Sequence, residues 1–292
     1  MSKIKFLTDT ASDLNLSQAE AAGIDMLSFM LTIDGSSYRE QRDLSKEEFY
    51  ERLEHATDLP STSQITAFTF EETFRKYLEE GYTDVVYVSI NKLGSATYQN
   101  AVSAREMLYE DYPEAREKMQ IHIIDSGNYT MCYGYPLLQA VEMEKAGNSI
   151  DEILAYLKNW MDNVGVYFLP MTLKFVKKSG RLTAAAAFAG ELLGLRPLIH
   201  ISHGVISVSE KVRGEKNIVN KIVDKICSVI QPESPYLMIH GSSTVYSDQV
   251  AAVLTERLGY PPAEFVKIGS AVAINAGYDL VAVAMLEKQE NA

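Results

Sequence analysis

Small hydroxyl and acidic residues follow several apolar, strand-like segments in the first half of the chain. They lie at residues 8–13 (TDTASD), at Ser89 and at residues 125–127 (DSG). In an open parallel sheet, the carboxyl ends of the strands form the crevice in which ligands bind. Each group by itself is also typical of ordinary loops and helix caps. Because the pattern recurs at successive strand ends, it favours a site at that edge of the sheet.

Two further segments have the composition of anion receptors. Thr62 and Ser63 stand just before a predicted helix, and Ser95 lies in residues 94–97 (GSAT) between a predicted strand and a helix. Hydroxyls and free N–H groups at a helix N-terminus can hold a carboxylate or a phosphate. Simple N-capping requires the same residue types, so both interpretations stand at this point.

An enzyme is the main alternative interpretation of these segments. A hydrolase or phosphotransferase would place its site at the strand ends, with Asp9, Ser95 and Asp125. The sequence contains no GxGxxG motif after a strand, no Walker P-loop and no GxSxG elbow. Asp9 resembles an aspartyl-phosphate nucleophile, but the next carboxylate, Asp13, follows four residues later rather than two. We therefore favour a binding protein without catalytic residues.

Metal ligands and cofactor motifs are also missing from the sequence. Its five histidines show no helical pairing, and Cys132 and Cys227 are far apart. Structural zinc sites need clustered thiolates or imidazoles, and disulfide frameworks need more cysteines. We expect two reduced, buried cysteines, no metal and no cofactor.

An alanine-rich segment, residues 184–193 (AAAAFAGELL), could shape an apolar channel. A helix face of alanines either lets two elements pack closely, which is the commoner case, or leaves a narrow space beside it. A thin alkyl chain would fit such a space better than a ring. Another amphipathic anion, such as an isoprenoid or a bile acid, is a further possible ligand.

The elements that position these residues form an α/β pattern with two parts. The first half alternates buried strands with amphipathic helices, which predicts a parallel sheet covered by helices. The character changes near residue 163, where the sequence begins to predict antiparallel pairing, including a hairpin with its turn at His203-Gly204. We expect a Rossmann-like three-layer domain over 1–163 and a second α/β domain over 164–292.

Charge and hydropathy restrict the partners of the protein. The 292 residues are 47% hydrophobic, and the formal net charge is -12. A negative field of this size disfavours nucleic acid and anionic membrane surfaces. The N-terminus has no signal-peptide core, and no apolar run has the length of a membrane span. We expect a cytoplasmic protein without stable membrane insertion or a nucleic-acid partner.

Seen together, several segments resemble the DegV family, whose characterised members bind fatty acids and present them to a fatty acid kinase. The resemblance covers essentially the whole chain, and the order and spacing of the segments make it specific. The matching segments are residues 8–14 (TDTASDL), 62–66 (TSQIT), 95–101 (SATYQNA), 125–126 (DS), 173–182 (LKFVKKSGRL), 192–198 (LLGLRPL) and 211–213 (KVR).

The resemblance implies a DegV-like fold with a long-chain fatty acid between its two domains. Hydroxyls matching Thr62 and Ser95, with Ser63 and Asn275 nearby, would hold the carboxylate at the interface between the domains, in a mouth formed by the first domain. The acyl chain would run into a tunnel of the second domain. A fatty acid kinase is the implied partner, and Arg181 and Arg213 are the candidate docking residues. The candidate tunnel residues are Phe188, Leu192, Leu193 and Leu198.

One position departs from the family pattern. The family has a histidine in a late HxGPG motif, whereas the matching segment here reads INAGY over residues 274–278, with Asn275 in place of the histidine. An amide can donate a hydrogen bond but carries neither charge nor a proton for transfer. We therefore expect ligand binding to survive and the kinase-linked role to be reduced.

Overall fold

The computed structural model describes residues 3–181 and 194–289, and the predicted α/β class is confirmed. Three sheets are formed by strands β1 (Ile4–Asp9), β2 (Asp25–Leu27), β3 (Met30–Ile33), β4 (Ser36–Arg39), β5 (Ser61–Ser63), β6 (Asp84–Ser89), β7 (Gln120–Asp125), β8 (Val164–Pro170), β9 (Leu195–Ser202), β10 (Val205–Arg213), β11 (Tyr236–His240), β12 (Glu264–Lys267) and β13 (Leu280–Leu286). The helices of this part of the chain are α1 (Leu16–Ala22), α2 (Lys46–His55), α3 (Ala67–Glu79), α4 (Thr97–Asp111), α5 (Ala115–Lys118), α6 (Met131–Lys145), α7 (Ile150–Met161), α8 (Lys174–Ser179), α9 (Ile218–Val229), α10 (Val245–Leu258) and α11 (Ser270–Ala276).

The first sheet is parallel and has the strand order β2-β1-β6-β7. All six residues of β6 are buried, as expected for a strand that lies inside a parallel sheet with helices on its faces. Ser45 followed three residues later by Glu48 predicts a capping box at the start of α2, and the structure confirms it. Ser45 Oγ accepts from Glu48 N–H at 3.2 Å, and a Glu48 carboxylate oxygen accepts from Ser45 N–H at 2.9 Å.

The apolar residues between 26 and 33 predict one continuous strand, and this prediction is wrong, because the structure divides the segment into β2 and β3. The backbone leaves the parallel sheet after β2 and enters a second, antiparallel sheet with the order β4-β3-β5. Phe29 N–H donates to Thr10 Oγ1 at 3.0 Å, and Phe29 C=O accepts from Glu40 N–H at 2.9 Å. These bonds satisfy the backbone where it passes from one sheet to the other. In this second sheet β5, which carries Thr62, pairs with β3.

The third sheet contains six strands in the order β10-β9-β8-β13-β11-β12. Its first strand, β8, begins at Val164, and its pairing is antiparallel except between β11 and β12. The predicted hairpin is confirmed, with His203 (φ 51°) and Gly204 (φ 78°) at the turn between β9 and β10. Both residues have the positive φ that such a tight turn requires.

Side chains of the six-stranded sheet alternate between two apolar environments. Tyr167 and Leu169 of β8 belong to a core cluster that also contains the buried residues of α9 and α10. Val166 and Phe168 point to the other face, toward the large core cluster that includes the parallel sheet. Because strand side chains alternate with period two, each strand contributes to both faces. We call the face that carries Val166 and Phe168 the inner face, and it forms one wall of an apolar cavity.

Candidate functional site

An apolar cavity of about 520 Å³ lies against the inner face of the six-stranded sheet. Three of its wall residues are alanines (Ala271, Ala276 and Ala282), whose small side chains leave space that larger residues would fill. The volume lies in the range of roughly 300–1,000 Å³ that is usual for small-molecule sites. The other apolar wall residues are Phe29, Ile90, Val166, Phe168, Ile201, Ile206, Ile239, Ile268, Val272 and Leu280.

One part of the cavity lining is polar, and we call it the mouth. It consists of Thr62, Ser63, Gln64, Ser95, Arg181 and Asn275. Ser63, Gln64 and Arg181 are exposed, whereas nearly all of the apolar wall residues are buried. The mouth therefore faces solvent, and the apolar wall is screened from it.

Hydrogen bonds hold the two predicted anion-receptor segments together. Asn100 Nδ2 donates to Ile65 C=O at 2.7 Å, and Ile65 N–H donates to Thr97 Oγ1 at 3.4 Å. Ser95 Oγ lies 2.9 Å from Thr97 Oγ1 and accepts from Thr97 N–H at 3.3 Å. The Thr62 hydroxyl makes no hydrogen bond within the described residues. Thr62 is therefore available to donate to a ligand.

The backbone approaches a tyrosine ring closely at Gly94. A Cβ atom built on Gly94 would overlap the hydroxyl of Tyr129, which also lines the cavity. Any larger residue at this position would have to displace Tyr129 from the cavity wall. Gly94 thus lets the loop before α4 and the Tyr129 ring lie side by side at the ligand space.

Arg181 and Asn275 form a direct contact at the mouth. Arg181 Nη1 donates to Asn275 Oδ1 at 2.9 Å, while Asn275 Nδ2 donates to Ala271 C=O at 2.8 Å. Arg181 Nε also donates to Gly94 C=O at 3.1 Å. Both polar groups of the Asn275 amide are therefore engaged, and the guanidinium is held across the mouth. The sequence indicated Arg181 only as a docking residue and gave no sign that it lines the cavity.

The residues predicted to form the acyl tunnel are not found among the described residues that line the cavity. Phe188, Leu192 and Leu193 lie outside the described residues. Leu198 is fully buried, but it belongs to the core cluster that contains the buried residues of α9 and α10. Ile201 of the same strand lines the cavity instead. Arg213 is exposed at the end of β10 and does not line the cavity. The wall residues on β8, β11 and β13 were not anticipated. These strands are apolar and buried almost throughout, so their sequences carry no alternation that would distinguish the face toward the cavity.

The alternative enzymatic residues are not gathered at the cavity. Ser95 lines it, whereas Asp9 and Asp125 are not among its lining residues. Asp9 is fully buried and accepts from Tyr133 Oη at 2.6 Å and from Tyr87 Oη at 3.0 Å. Asp9 also accepts from the N–H groups of Ile90 and Ala11 at 3.1 and 3.2 Å. These bonds fix the end of β1, which is a structural use of the carboxyl group.

Two more buried carboxyl groups hold the N-terminus of α11. Asp13 Oδ1 accepts from Gly269 N–H at 2.8 Å, and Glu40 Oε1 accepts from Ala271 N–H at 2.8 Å. Burial raises the pKa of Asp13 to about 7 and also raises the pKa of Glu40. Burial likewise raises the pKa of Asp9 to about 6. These groups support the helix that carries Asn275, and the sequence did not indicate this role for Asp13 or Glu40.

Among residues 3–181 and 194–289, no group of three or more His, Cys, Asp or Glu side chains is placed to hold a metal ion. None of the described helices has the length and apolar character that a membrane crossing requires. Cys132 and Cys227 are both free thiols.

Comparisons with known proteins place this geometry in a family. The family model described as "Uncharacterised protein, DegV family" matches residues 3–288 of this chain. DegV domain-containing proteins from Clostridium perfringens and Caldanaerobacter subterraneus are each 28% identical to the chain. The former alignment covers 98% of both proteins, and the latter covers 99% of this chain and 100% of the relative.

Solved structures share the fold over almost the full length. A fatty acid binding DegV family protein from Streptococcus agalactiae is 25% identical, with a TM-score of 0.86 over 99% of this chain and 100% of the other. A stearic acid-binding protein from Eubacterium ventriosum has the same TM-score, 23% identity and 99% coverage of both chains. The arrangement of a parallel sheet beside a larger mixed sheet is therefore common to these proteins.

Proposed function

The chain belongs to the DegV family, and from this premise we propose that it binds a long-chain fatty acid. The observation that carries the proposal is a solvent-facing polar mouth above a buried apolar cavity of about 520 Å³. An ionised carboxylate cannot enter apolar space without hydrogen-bond donors, whereas an alkyl chain gains free energy by leaving water. A polar mouth and an apolar cavity are the two features that such an amphipathic ligand requires.

Burial of the alkyl tail contributes favourable free energy to binding. At about 0.8 kcal/mol per buried methylene, a chain of roughly 16 carbons gains on the order of 10 kcal/mol before association costs are subtracted. We propose that residues 1–163 contribute most of the mouth and that residues 164–292 contribute most of the acyl wall.

Mass spectrometry of organic extracts from the purified protein should detect fatty acids of about 14 to 18 carbons, since the cavity size fits such ligands. Lipid-free protein that also fails to bind a fluorescent fatty acid would contradict the proposal.

Thr62→Ala and Ser95→Ala should each weaken fatty-acid binding about tenfold, because each removes a hydrogen bond to a charged acceptor. The measurement is displacement of a fluorescent fatty acid by palmitate, repeated with methyl palmitate. The ester has no charged carboxylate, so its affinity should change much less.

A serine away from the mouth serves as the matched control for this pair. Ser103 on α4 is half-buried like Ser95, but it does not line the cavity, so Ser103→Ala should leave both affinities unchanged. Equal losses for the acid and the ester would indicate a folding defect rather than a carboxylate contact.

We further propose that any presentation of the fatty acid to a kinase is reduced in this protein. Asn275 supplies a neutral amide, and its oxygen accepts from Arg181, which a protonated imidazole could not do. Binding should therefore be supported by Thr62, Ser95 and Arg181, without a titratable group at position 275.

The Asn275→His variant tests this second proposal. It should raise acyl-phosphate formation with a fatty acid kinase, because a histidine can carry charge and a proton, and it should change palmitate affinity only a few-fold. Asn275→Ala, measured in parallel, should not raise acyl-phosphate formation. Efficient phosphorylation with the wild-type protein that neither substitution alters would show that position 275 has no part in the transfer.

A further inference from the structure

Three carboxyl groups are buried together close to the N-terminus of α11. Asp9, Asp13 and Glu40 are each at most 1% exposed. A Cβ atom built on Gly269 would lie 2.5 Å from Asp13 Oδ1 and 3.1 Å from Glu40 Oε1, so these two carboxyl groups are direct neighbours. Burial and a nearby charge of the same sign both oppose the ionisation of a carboxyl group. The cluster therefore favours a bound proton.

Hydrogen bonds identify Asp13 as the group that holds this proton. Both carboxyl oxygens of Glu40 accept hydrogen bonds, and so do both oxygens of Asp9. Asp13 Oδ1 accepts from Gly269 N–H, but its buried Oδ2 has no hydrogen-bond partner in the part of the chain that the structure describes. A buried charge without a hydrogen-bond partner is costly, so Asp13 is the carboxyl group with the least support for its ionised form.

The other titratable and charged groups around the Asp13 carboxyl come from the elements packed against it and are Asp9, Glu40, Lys46, Tyr50, Cys132 and Tyr133. Burial raises the pKa of both tyrosines and of the Cys132 thiol, so these three groups are neutral near pH 7. Lys46 Nζ donates to the carbonyl oxygens of Asp13 and Lys267 at 3.0 and 3.1 Å. The Lys267 ammonium group itself lies over the Tyr50 ring, 4.1 Å from its centroid. Three carboxyl groups thus share the Lys46 ammonium group, and a proton on Asp13 reduces the excess negative charge.

Helix α11 connects this cluster to the mouth. The N–H groups of Gly269 and Ala271 bind Asp13 and Glu40, and Asn275 near the other end of the helix belongs to the mouth. At about 1.5 Å per helical residue, Asn275 lies roughly 9 Å along the helix from Gly269. Over about 10 Å, at an effective dielectric constant of about 20, one charge changes the binding of another roughly tenfold. An anion at the mouth would therefore raise the affinity of Asp13 for a proton.

We propose that Asp13 is a proton-binding site coupled to the mouth, so that the protein takes up a proton when it binds a fatty-acid anion. The coupling rests on the proposed function, because it requires an anion at the mouth. It is reciprocal, so protonation of Asp13 strengthens the binding of the anion in turn. The affinity for palmitate should fall roughly tenfold as the pH rises from about 6 to about 9, across the pKa of about 7 that burial gives Asp13.

Calorimetry of the full chain in buffers of different ionisation enthalpy measures the proton uptake. Near pH 7, binding of palmitate should take up to about half a proton per ligand, which is the maximum for a tenfold coupling. Hexadecanesulfonate, which stays ionised at this pH, should cause the same uptake, and uncharged methyl palmitate should cause none. Uptake with palmitate but not with the sulfonate would place the proton on the ligand and overturn the proposal.

Three variants locate the proton within the protein. Asp13→Asn should remove both the uptake and the pH dependence, since asparagine does not titrate. Glu40→Gln should move the maximum of the uptake to lower pH, because a neighbouring negative charge is lost. Asp84→Asn is the matched control, since Asp84 is a buried carboxyl group at the start of β6 that does not line the cavity, and its uptake should equal that of the wild type. Undiminished uptake in Asp13→Asn, or equal losses in Asp13→Asn and Asp84→Asn, would contradict the assignment.

Displacement of a fluorescent fatty acid is measured on the same samples. Binding of palmitate without proton uptake would overturn the coupling and leave the proposed function intact. Absence of binding at every pH would contradict the proposed function itself, and the coupling with it.

Discussion

Ala282→Phe should abolish most of the affinity for palmitate and spare that for octanoate. Ala282 lies on β13 and lines the apolar wall, so a phenyl ring there would occupy the space of the acyl chain. Displacing about four methylenes at about 0.8 kcal/mol each corresponds to a loss of more than about a hundredfold in affinity. A graded series through Ala282→Val and Ala282→Leu, measured with both fatty acids, should show affinity for palmitate falling with side-chain size.

The stability of the same variants provides the control. Extra carbon atoms in a close-packed core cost about 1–3 kcal/mol, whereas atoms placed in an existing cavity need not destabilise the protein. Thermal unfolding of Ala282→Phe should therefore occur at or above the wild-type temperature. A marked decrease in this temperature, with equal losses for palmitate and octanoate, would show that Ala282 packs against a filled core.

Asp13→Asn should stabilise the protein at pH 8 and have a much smaller effect at pH 5. Burial raises the pKa of Asp13 from 3.8 to about 7, so the ionised group destabilises the folded state. The stability that the protonated form contributes is complete below about pH 3.8 and is lost as the pH rises through about 7. The increase in the free energy of unfolding that Asp13→Asn causes should therefore be about 2–3 kcal/mol smaller at pH 5 than at pH 8.

Asparagine is the appropriate replacement for two structural reasons. Asp13 has a φ of 61°, which asparagine tolerates better than most residues, and an amide oxygen can still accept from Gly269 N–H. The measurement is urea unfolding of wild type and variant across this pH range, with surface-exposed Asp151→Asn as the control. A pH-independent difference, or one as small as that of Asp151→Asn, would show that the Asp13 carboxyl is not the titrating group.

Local sequence patterns determined most of the elements of this protein. The largely apolar residues 85–90 predict a buried strand, and Ser45 with Glu48 predicts a helix start. Both patterns depend only on neighbours along the chain. The segments at residues 62–66 and 95–101 indicated the family and drew attention to the mouth. Such features need no knowledge of distant contacts.

Tertiary structure decided which side chains face the ligand space. Alternation along β9 predicts two faces, but only the packing of α9 and α10 assigns Leu198 to one face and leaves Ile201 on the other. A shift of one residue exchanges the two faces of a strand, so the pattern alone cannot identify the cavity wall.

The mouth itself depends on contacts between residues that are far apart in the sequence. Arg181 and Asn275 are separated by 94 positions, and their hydrogen bond forms only because α8 and α11 pack together. In the same way, Asp13 and Glu40 meet the N-terminus of α11 across more than 200 residues. Propensity and periodicity act over a few neighbouring residues, whereas these contacts arise from the packing of whole elements, which is why the sequence alone did not place them.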